Sequence, residues 1–297
     1  MSVNFSQLPI PNMVESLDYE TLFNERKEAF IATWKTQEEQ AHYREILSRE
    51  SEPLTKYLQE NAYRELILRN RINTAACANL LAFAKGQDLD AVAANFDVSR
   101  LLISEATSNN SAVYESDDDL RSRVQMKFDS LSTAGPENSY KYHAFSADGR
   151  VVDVAVTSPS PACVNITLLQ EDTVNNSTTD EVIQKVKDAL NAEDVRPIGD
   201  RVTVQNATFV PYKIIGTIFT NGNPEDALLL QTAISNIQAY AYQKKRLGRS
   251  IYLSEIYAKL HLTGITHVVL DEPKADILLK TEEASLCDTL EIKLGMA

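Results

Sequence analysis

The stretch Arg150–Gln170, "RVVDVAVTSPSPACVNITLLQ", is where the chain changes its period. Upstream, apolar residues recur at helical spacing. Here β-branched residues gather in two short blocks, "RVVDVAVTS" and "CVNITLLQ", on either side of the turn "SPSPA". The pattern predicts two strands, then a loop and a helix whose inner face carries Ile183, Val186 and Leu190. "RVTVQNA" follows and alternates like a half-buried strand, which completes a compact β-β-α-β unit.

"FVPYKIIGTIFT" reads as the opening of another such unit, although "NATFVPY" reads as one strand or two. Asn223 as N-cap, Pro224 in the first turn, and Glu225 and Asp226 behind it start a helix. Leu230, Ile234, Ile237 and Ala241 form its stripe, and Gly248 ends it. A shorter helix runs from Ser254 to Gly264, and "ITHVVL" and "SLCDTLEIKL" are the last strands.

Before the switch the chain reads as helix. "LPIPN" is an extended arm, because proline disfavours helix in the residue before it. Asp18 caps a helix reaching about Trp34, with Leu22, Phe23, Phe30 and Trp34 on its apolar side, and "EEQAHYREILSRE" is a second helix. Pro53 starts a third, in which Leu54, Leu58, Ala62 and Leu66 fall four apart, flanked by Tyr63 and Ile67. Ile72, Ala76 and Leu80 resume that spacing, so the apolar surface is wide and drifts around the axis. With Gly86 as its C′ residue after Lys85, this helix would be about 50 Å long. Arg64, Arg69 and Arg71, with Asn61, Asn70 and Asn73, interrupt its apolar face, either as register-setting groups at a seam or as solvated positions. "DLDAVAANF" is a short helix and "SRLLISEATSNNSAV" a linker. Asp117 caps a further helix carrying Leu120, Val124, Phe128 and Leu131, and "AGPENSYKYHAF" is a turn with a helical piece. Helices first and then two α/β units predict an α+β protein: an N-terminal all-α region over 1–106, and small α/β domains over 107–207 and 208–297.

Composition narrows the functions available. Of 297 residues 43% are hydrophobic, enough for several cores, and no apolar run approaches the roughly 18 residues of a membrane span. "MSVNFSQLPIPN" has neither the basic residue nor the apolar core of a secretion signal. A net charge of −13 argues against duplex DNA and anionic membranes as partners, since both need clustered cations. Cys77, Cys163 and Cys287 are too scattered for a zinc site or a disulfide framework and read as reduced thiols.

Chemistry is sparse. There is no phosphate loop, no His-Glu-x-x-His, no Gly-x-Ser-x-Gly and no Cys-x-x-Cys, and His42, His143, His261 and His267 lack metal-ligand spacing. No catalytic residue, metal or cofactor is therefore expected. His143 and Cys163 read as a helix-surface histidine and a packed thiol rather than base and nucleophile, and "ESDDD" as acids favoured at a helix start rather than a cation site. "KKRLGR" is the one basic cluster: Lys244, Lys245, Arg246 and Arg249 either complement a helix C-terminus or meet an acidic partner surface.

Four segments carry a resemblance. "ESEPLTKYLQENAYRELILRNRIN" followed by "AKGQDLD", then "SADGRVVDVAVTSPSPACV", "DVRPIGDRVTV" and "RLGRSIYLSEIYAKLHLTGITHV" resemble the baseplate J-like proteins of contractile-tailed phages and of phage-tail-like bacteriocins. The segments stand in the family's order, and the resemblance runs from about Leu8 to the final strand. The resemblance implies a structural part of the tail baseplate, assembled in the host cytoplasm, with no enzymatic activity. It implies that N-terminal helices join a second copy and a smaller wedge protein. C-terminal domains would join neighbouring wedges in a ring around the central hub and spike, below the sheath-side proteins, and the ring would rearrange when the sheath contracts. On this reading Leu54, Leu58, Ala62, Leu66, Ile72 and Leu80 form an intersubunit seam, and Lys244, Lys245, Arg246 and Arg249 help join wedges. The rival readings are a tail-associated hydrolase, which needs a converging acid, base or nucleophile set, and a host-binding adhesin, which needs exposed loop aromatics.

Overall fold

The computed structural model describes residue 5 and residues 8–106, 110–132, 135–170, 178–193, 195–220, 222 and 226–296. The chain divides into two compact units, Met1–Ser99 and Arg100–Ala297, of α+β architecture.

The first unit is helical. Helix α1 (Tyr19–Ala32) begins where the Asp18 carboxylate accepts the Thr21 amide at 2.8 Å. Helix α2 (Gln37–Ile46) begins with a reciprocal Thr36–Glu39 capping box. Trp34 lies past the end of α1 and stacks on Tyr43 of α2, with ring centroids 4.2 Å apart. Helix α3 (Pro53–Ala78) has proline in its first turn. Its Leu58 and Ala62 pack with Phe23 and Ile31 of α1 and with Leu47. The helix stops seven residues short of the expected Lys85. Asn79 is its C-cap, and the Leu80 amide bonds the Cys77 carbonyl at 3.1 Å and the Ala84 amide the Leu80 carbonyl at 2.8 Å, which folds "LLAFA" into turns. Gly86, expected to end α3, opens α4 (Gly86–Ala94) instead, with φ +52°. Leu89 and Ala93 of α4 are buried.

The second unit opens with a two-stranded antiparallel ribbon, β1 (Leu102–Ser104) with β2 (Val113–Tyr114). The stretch expected as a plain linker therefore carries backbone pairing. Helix α5 (Asp117–Ser130) is capped by Ser116, whose hydroxyl accepts the Asp119 amide at 3.2 Å, so the cap falls one residue before the expected Asp117. Helix α6 is Glu137–Ala147. Strands β3 (Val151–Ser160) and β4 (Cys163–Gln170), helix α7 (Asp180–Leu190) and strand β5 (Arg201–Asn206) complete the central unit. The sheet order is β3-β4-β5, the first pair antiparallel and the second parallel. Its core joins Tyr140 and Ala144 of α6, Val182, Val186 and Leu190 of α7, and Val154, Ile166 and Leu168 of the sheet.

Ala207 separates β5 from β6 (Thr208–Thr220), so "NATFVPY" resolves into two strands in two different sheets. Helices α8 (Asp226–Lys244) and α9 (Leu253–Leu260) and strands β7 (Ile265–Glu272) and β8 (Glu283–Met296) follow. The expected cap at Asn223–Glu225 lies outside the described residues. The sheet order is β7-β6-β8, with β7 antiparallel and β8 parallel to the centre. This is the sheet pattern of the central unit, a middle strand with one antiparallel and one parallel neighbour, reached by a different chain order: the antiparallel edge follows the helices instead of preceding them. Gly216 permits the close approach of β6 and β7, since a Cβ there would meet the Val269 carbonyl oxygen at 2.7 Å.

Candidate functional site: two surfaces and a cleft

The expected helical seam splits when folded. Leu58 and Ala62 are buried against α1, and Leu54 packs at the same cluster half-buried. They close the chain's own core, because α1 supplies Phe23 and Ile31 and covers more apolar area than its pattern alone suggested. Leu66 is half-buried, Leu80 lies half-buried in the turn beyond α3, and Ile72 is exposed. The outward side of α3 nevertheless carries five large apolar side chains: Tyr57, Tyr63, Ile67, Leu68 and Ile72 are each at least half exposed. At 100° per residue Tyr57, Leu68 and Ile72 fall within about 60° of one another, a grouping legible from the helical period once the buried side is known.

The polar residues of α3 divide too. Asn73 grips the N-terminal arm, accepting the Glu15 amide at 3.0 Å and donating to the Glu15 carbonyl at 2.9 Å. Arg69 bridges Glu65 at 2.8 Å and Glu15 at 3.1 Å. Arg64 pairs with Glu60 one turn away, and Asn61 donates to the Tyr57 carbonyl at 3.2 Å. Arg69 and Asn73 thus set the register of the chain's own arm.

The basic cluster also divides. Lys244 is committed within its own chain: Nζ pairs with Glu255 at 2.6 Å, donates to the Ser250 carbonyl at 3.2 Å, and sits above the rings of Tyr240 and Tyr252. Lys245 is half-buried. The helix ends at Lys244 rather than Gly248, and Gly248, at φ +68°, fastens the turn to β8 through its amide and the Glu283 carbonyl at 2.8 Å. Arg246 lies over the Tyr242 ring at 5.8 Å and donates to the Lys245 carbonyl; Arg249 donates to the Gln243 carbonyl at 3.0 Å. Among the described residues no carboxylate pairs with either guanidinium.

Arg246 and Arg249 face a cleft of about 720 Å³ that sequence spacing had not indicated. Its other walls are the β1–β2 ribbon, α5 and the start of β3, with Ile103, Val113, Met126 and Phe145 among the apolar lining. Beneath it Arg123 binds Glu115 through two contacts of 2.6 Å, and Arg100 reaches Asp117 at 2.7 Å and the Glu115 carbonyl at 2.6 Å. The acids of "ESDDD" are thereby engaged: Glu115 and Asp117 in these pairs, Asp118 with Arg121 at 2.7 Å, and Asp119 with the Ser116 hydroxyl at 2.6 Å. On the rim, Asp153 accepts the Leu247 amide at 2.8 Å, which ties the cluster's turn to β3. Arg150 and Lys185 bracket Asp148 at 2.7 and 3.2 Å. Burial of Asp148 opposes its ionisation, but the hydrogen bonds from Arg150 and Lys185 outweigh it and bring the carboxyl down to about 2.

His143 meets Tyr142 edge-on, and Cys163 opens β4. Among the described residues no group of three or more His, Cys, Asp and Glu is placed to hold a metal ion, and no helix is long and apolar enough to cross a membrane.

An exposed apolar helix side and a charged cleft are each features found at protein–protein contacts. Comparison with known proteins agrees. Residues 50–107 match the baseplate J-like N-terminal domain and residues 132–206 the baseplate J-like central domain. The chain is 46% identical over 297 residues to baseplate protein J of Escherichia phage P2, covering 99% of this chain and 98% of that one. The chain belongs to the baseplate J-like family, structural proteins of the phage tail baseplate.

Proposed function

We propose that this chain is a wedge subunit of a contractile-tail baseplate, built to hold other subunits and not to catalyse. The N-terminal helices join a second copy and a smaller wedge protein. The C-terminal α/β unit joins neighbouring wedges into the ring around the hub and spike, and rearrangement of that ring accompanies sheath contraction. The finished protein resides in the tail baseplate after assembly in the host cytoplasm.

The observation that carries this reading is the outward side of α3. A helix already anchored by Leu58 and Ala62 on one side keeps Tyr57, Leu68 and Ile72 in water on another. Leu68 and Ile72 stand one turn apart on this side as an exposed apolar pair, and aromatic residues such as Tyr57 are enriched at interfaces. The seam we propose is Tyr57, Leu68 and Ile72, with Ile72 kept from the original stripe. Light scattering of the full chain, alone and co-expressed with the product of the adjacent tail gene, tests it. A defined complex of two copies with one smaller partner, lost in Ile72→Asp, is expected. A monomer that binds nothing defeats the wedge reading.

A further inference from the structure

Strand β8 is 14 residues long and stands at the edge of its sheet. Leu247 bridges Ala284 at the start of the strand; beyond that, among the described residues, no strand lies on its outer side. The pairing with β6 skips Asp288, and Thr289–Met296 then align residue for residue with Lys213–Thr220. An open edge of this length invites pairing with another chain, and a charged residue on it ordinarily deters such pairing.

The sequence along this edge is "LEIKL", Leu290–Leu294. Leu290 and Ile292 pack in the core that α8 and α9 cover. Glu291 and Lys293 alternate with them, are exposed on the opposite face, and pair along the strand at 3.0 Å. Leu294 continues the core-side row yet is 41% exposed. Set antiparallel to a second copy about Ile292, the segment is its own complement. Leu290 meets Leu294, Ile292 meets Ile292, and Glu291 meets Lys293, the leucine and charge matches each occurring twice by symmetry. Charge also fixes the register. A slide of two residues sets Glu291 against Glu291 in one direction and Lys293 against Lys293 in the other. A slide of one residue puts core-side residues opposite the exposed face. The other edges of the two three-stranded sheets lack this property: β3 contains Pro159, β5 has Arg201 as its only charge, and β7 has acids without Lys or Arg.

We propose that β8 of one copy pairs antiparallel with β8 of a second copy about a two-fold axis at Ile292, joining their C-terminal sheets edge to edge. The contact rests on the reading above that the C-terminal unit joins neighbouring wedges, and it names the surface and the symmetry. Leu294 is then covered by Leu290 of the second copy. A two-fold contact by itself stops at a pair. A ring forms when it alternates with a different contact, the one the N-terminal helices make within a wedge.

The test uses differently tagged full-length chains, both carrying Ile72→Asp so that the α3 contact plays no part. One carries Glu291→Cys and the other Lys293→Cys, both at exposed positions. In this register the two cysteines stand opposite each other, with Cβ atoms about 5 Å apart, whereas each is about 8 Å from its own equivalent. A mixed disulfide about tenfold more abundant than either self-pair is expected. In chains without added cysteine, Glu291→Lys or Lys293→Glu alone should weaken pairing in light scattering about tenfold. Mixing the two single variants, or combining both changes in one chain, should restore it. A mixed disulfide that is absent or no more abundant than the self-pairs overturns the proposal, and so does failure of the mixed variants to pair, the result for β8 meeting a different edge. In chains that keep Ile72, Glu291→Lys should leave co-purification with the smaller partner intact and prevent ring closure. Loss of co-purification in Ile72→Asp reports on the wedge reading alone, so the two readings fail separately.

Discussion

Two carboxylates show how individual residues hold the second unit together. Glu115 and Arg123 are both buried, 7% and 5% exposed, and joined by two short hydrogen bonds. Removing one member of such a pair leaves the other charge unpaired in a medium that solvates it poorly. Glu115→Gln should therefore destabilise the second unit by about 3 kcal/mol in urea unfolding. Asp148 acts through pH. Its folded pKa, about 2, lies below the ordinary carboxylate value, so its contribution is fully present above about pH 4 and disappears as pH falls toward 2. Asp148→Asn should cost on the order of 2 kcal/mol at neutral pH, and its unfolding curve should converge with that of the unsubstituted chain near pH 2. A constant difference across that range would mean that packing, not charge, holds Asp148.

Helix α3 separates stability from assembly. Leu58 fills space against Phe23 and Ile31, so Leu58→Ala should cost about 2–4 kcal/mol in thermal or urea unfolding. Ile72 is 65% exposed, so Ile72→Asp should change stability by less than about 0.5 kcal/mol while removing the complex seen by light scattering. The four-residue spacing of Leu54, Leu58 and Ala62 was legible in the sequence as an apolar stripe. Its partner was not: an amphipathic pattern states that a face is buried, not whether the same chain or another one covers it. The overlong helix has a similar cause. Ile72, Ala76 and Leu80 keep helical spacing across residues that hydrogen bonding at Asn79 and Leu80 turns aside.

At the scale of the molecule, the units Met1–Ser99 and Arg100–Ala297 each bury their own core. Calorimetry should resolve two transitions: Leu58→Ala lowers one, and Leu168→Ala, in the central sheet, lowers the other. A single transition shifted by both substitutions would show one cooperative body.

The sequence by itself determined the kinds of element and their order. Period-2 and period-3.6 spacing, prolines at helix starts and β-branched runs act locally, over a few residues, and the strands at Val151–Ser160 and Cys163–Gln170 stand where that spacing put them. Only the tertiary structure decided which side of α3 stays in water, that Lys244 is spent on Glu255, and that Arg246 and Arg249 turn toward a cleft walled mostly by residues between Leu101 and Asp153, far upstream in the chain. Those outcomes depend on non-local packing, in which elements remote along the chain compete for the same surface. Such competition leaves no mark on the spacing of any one segment.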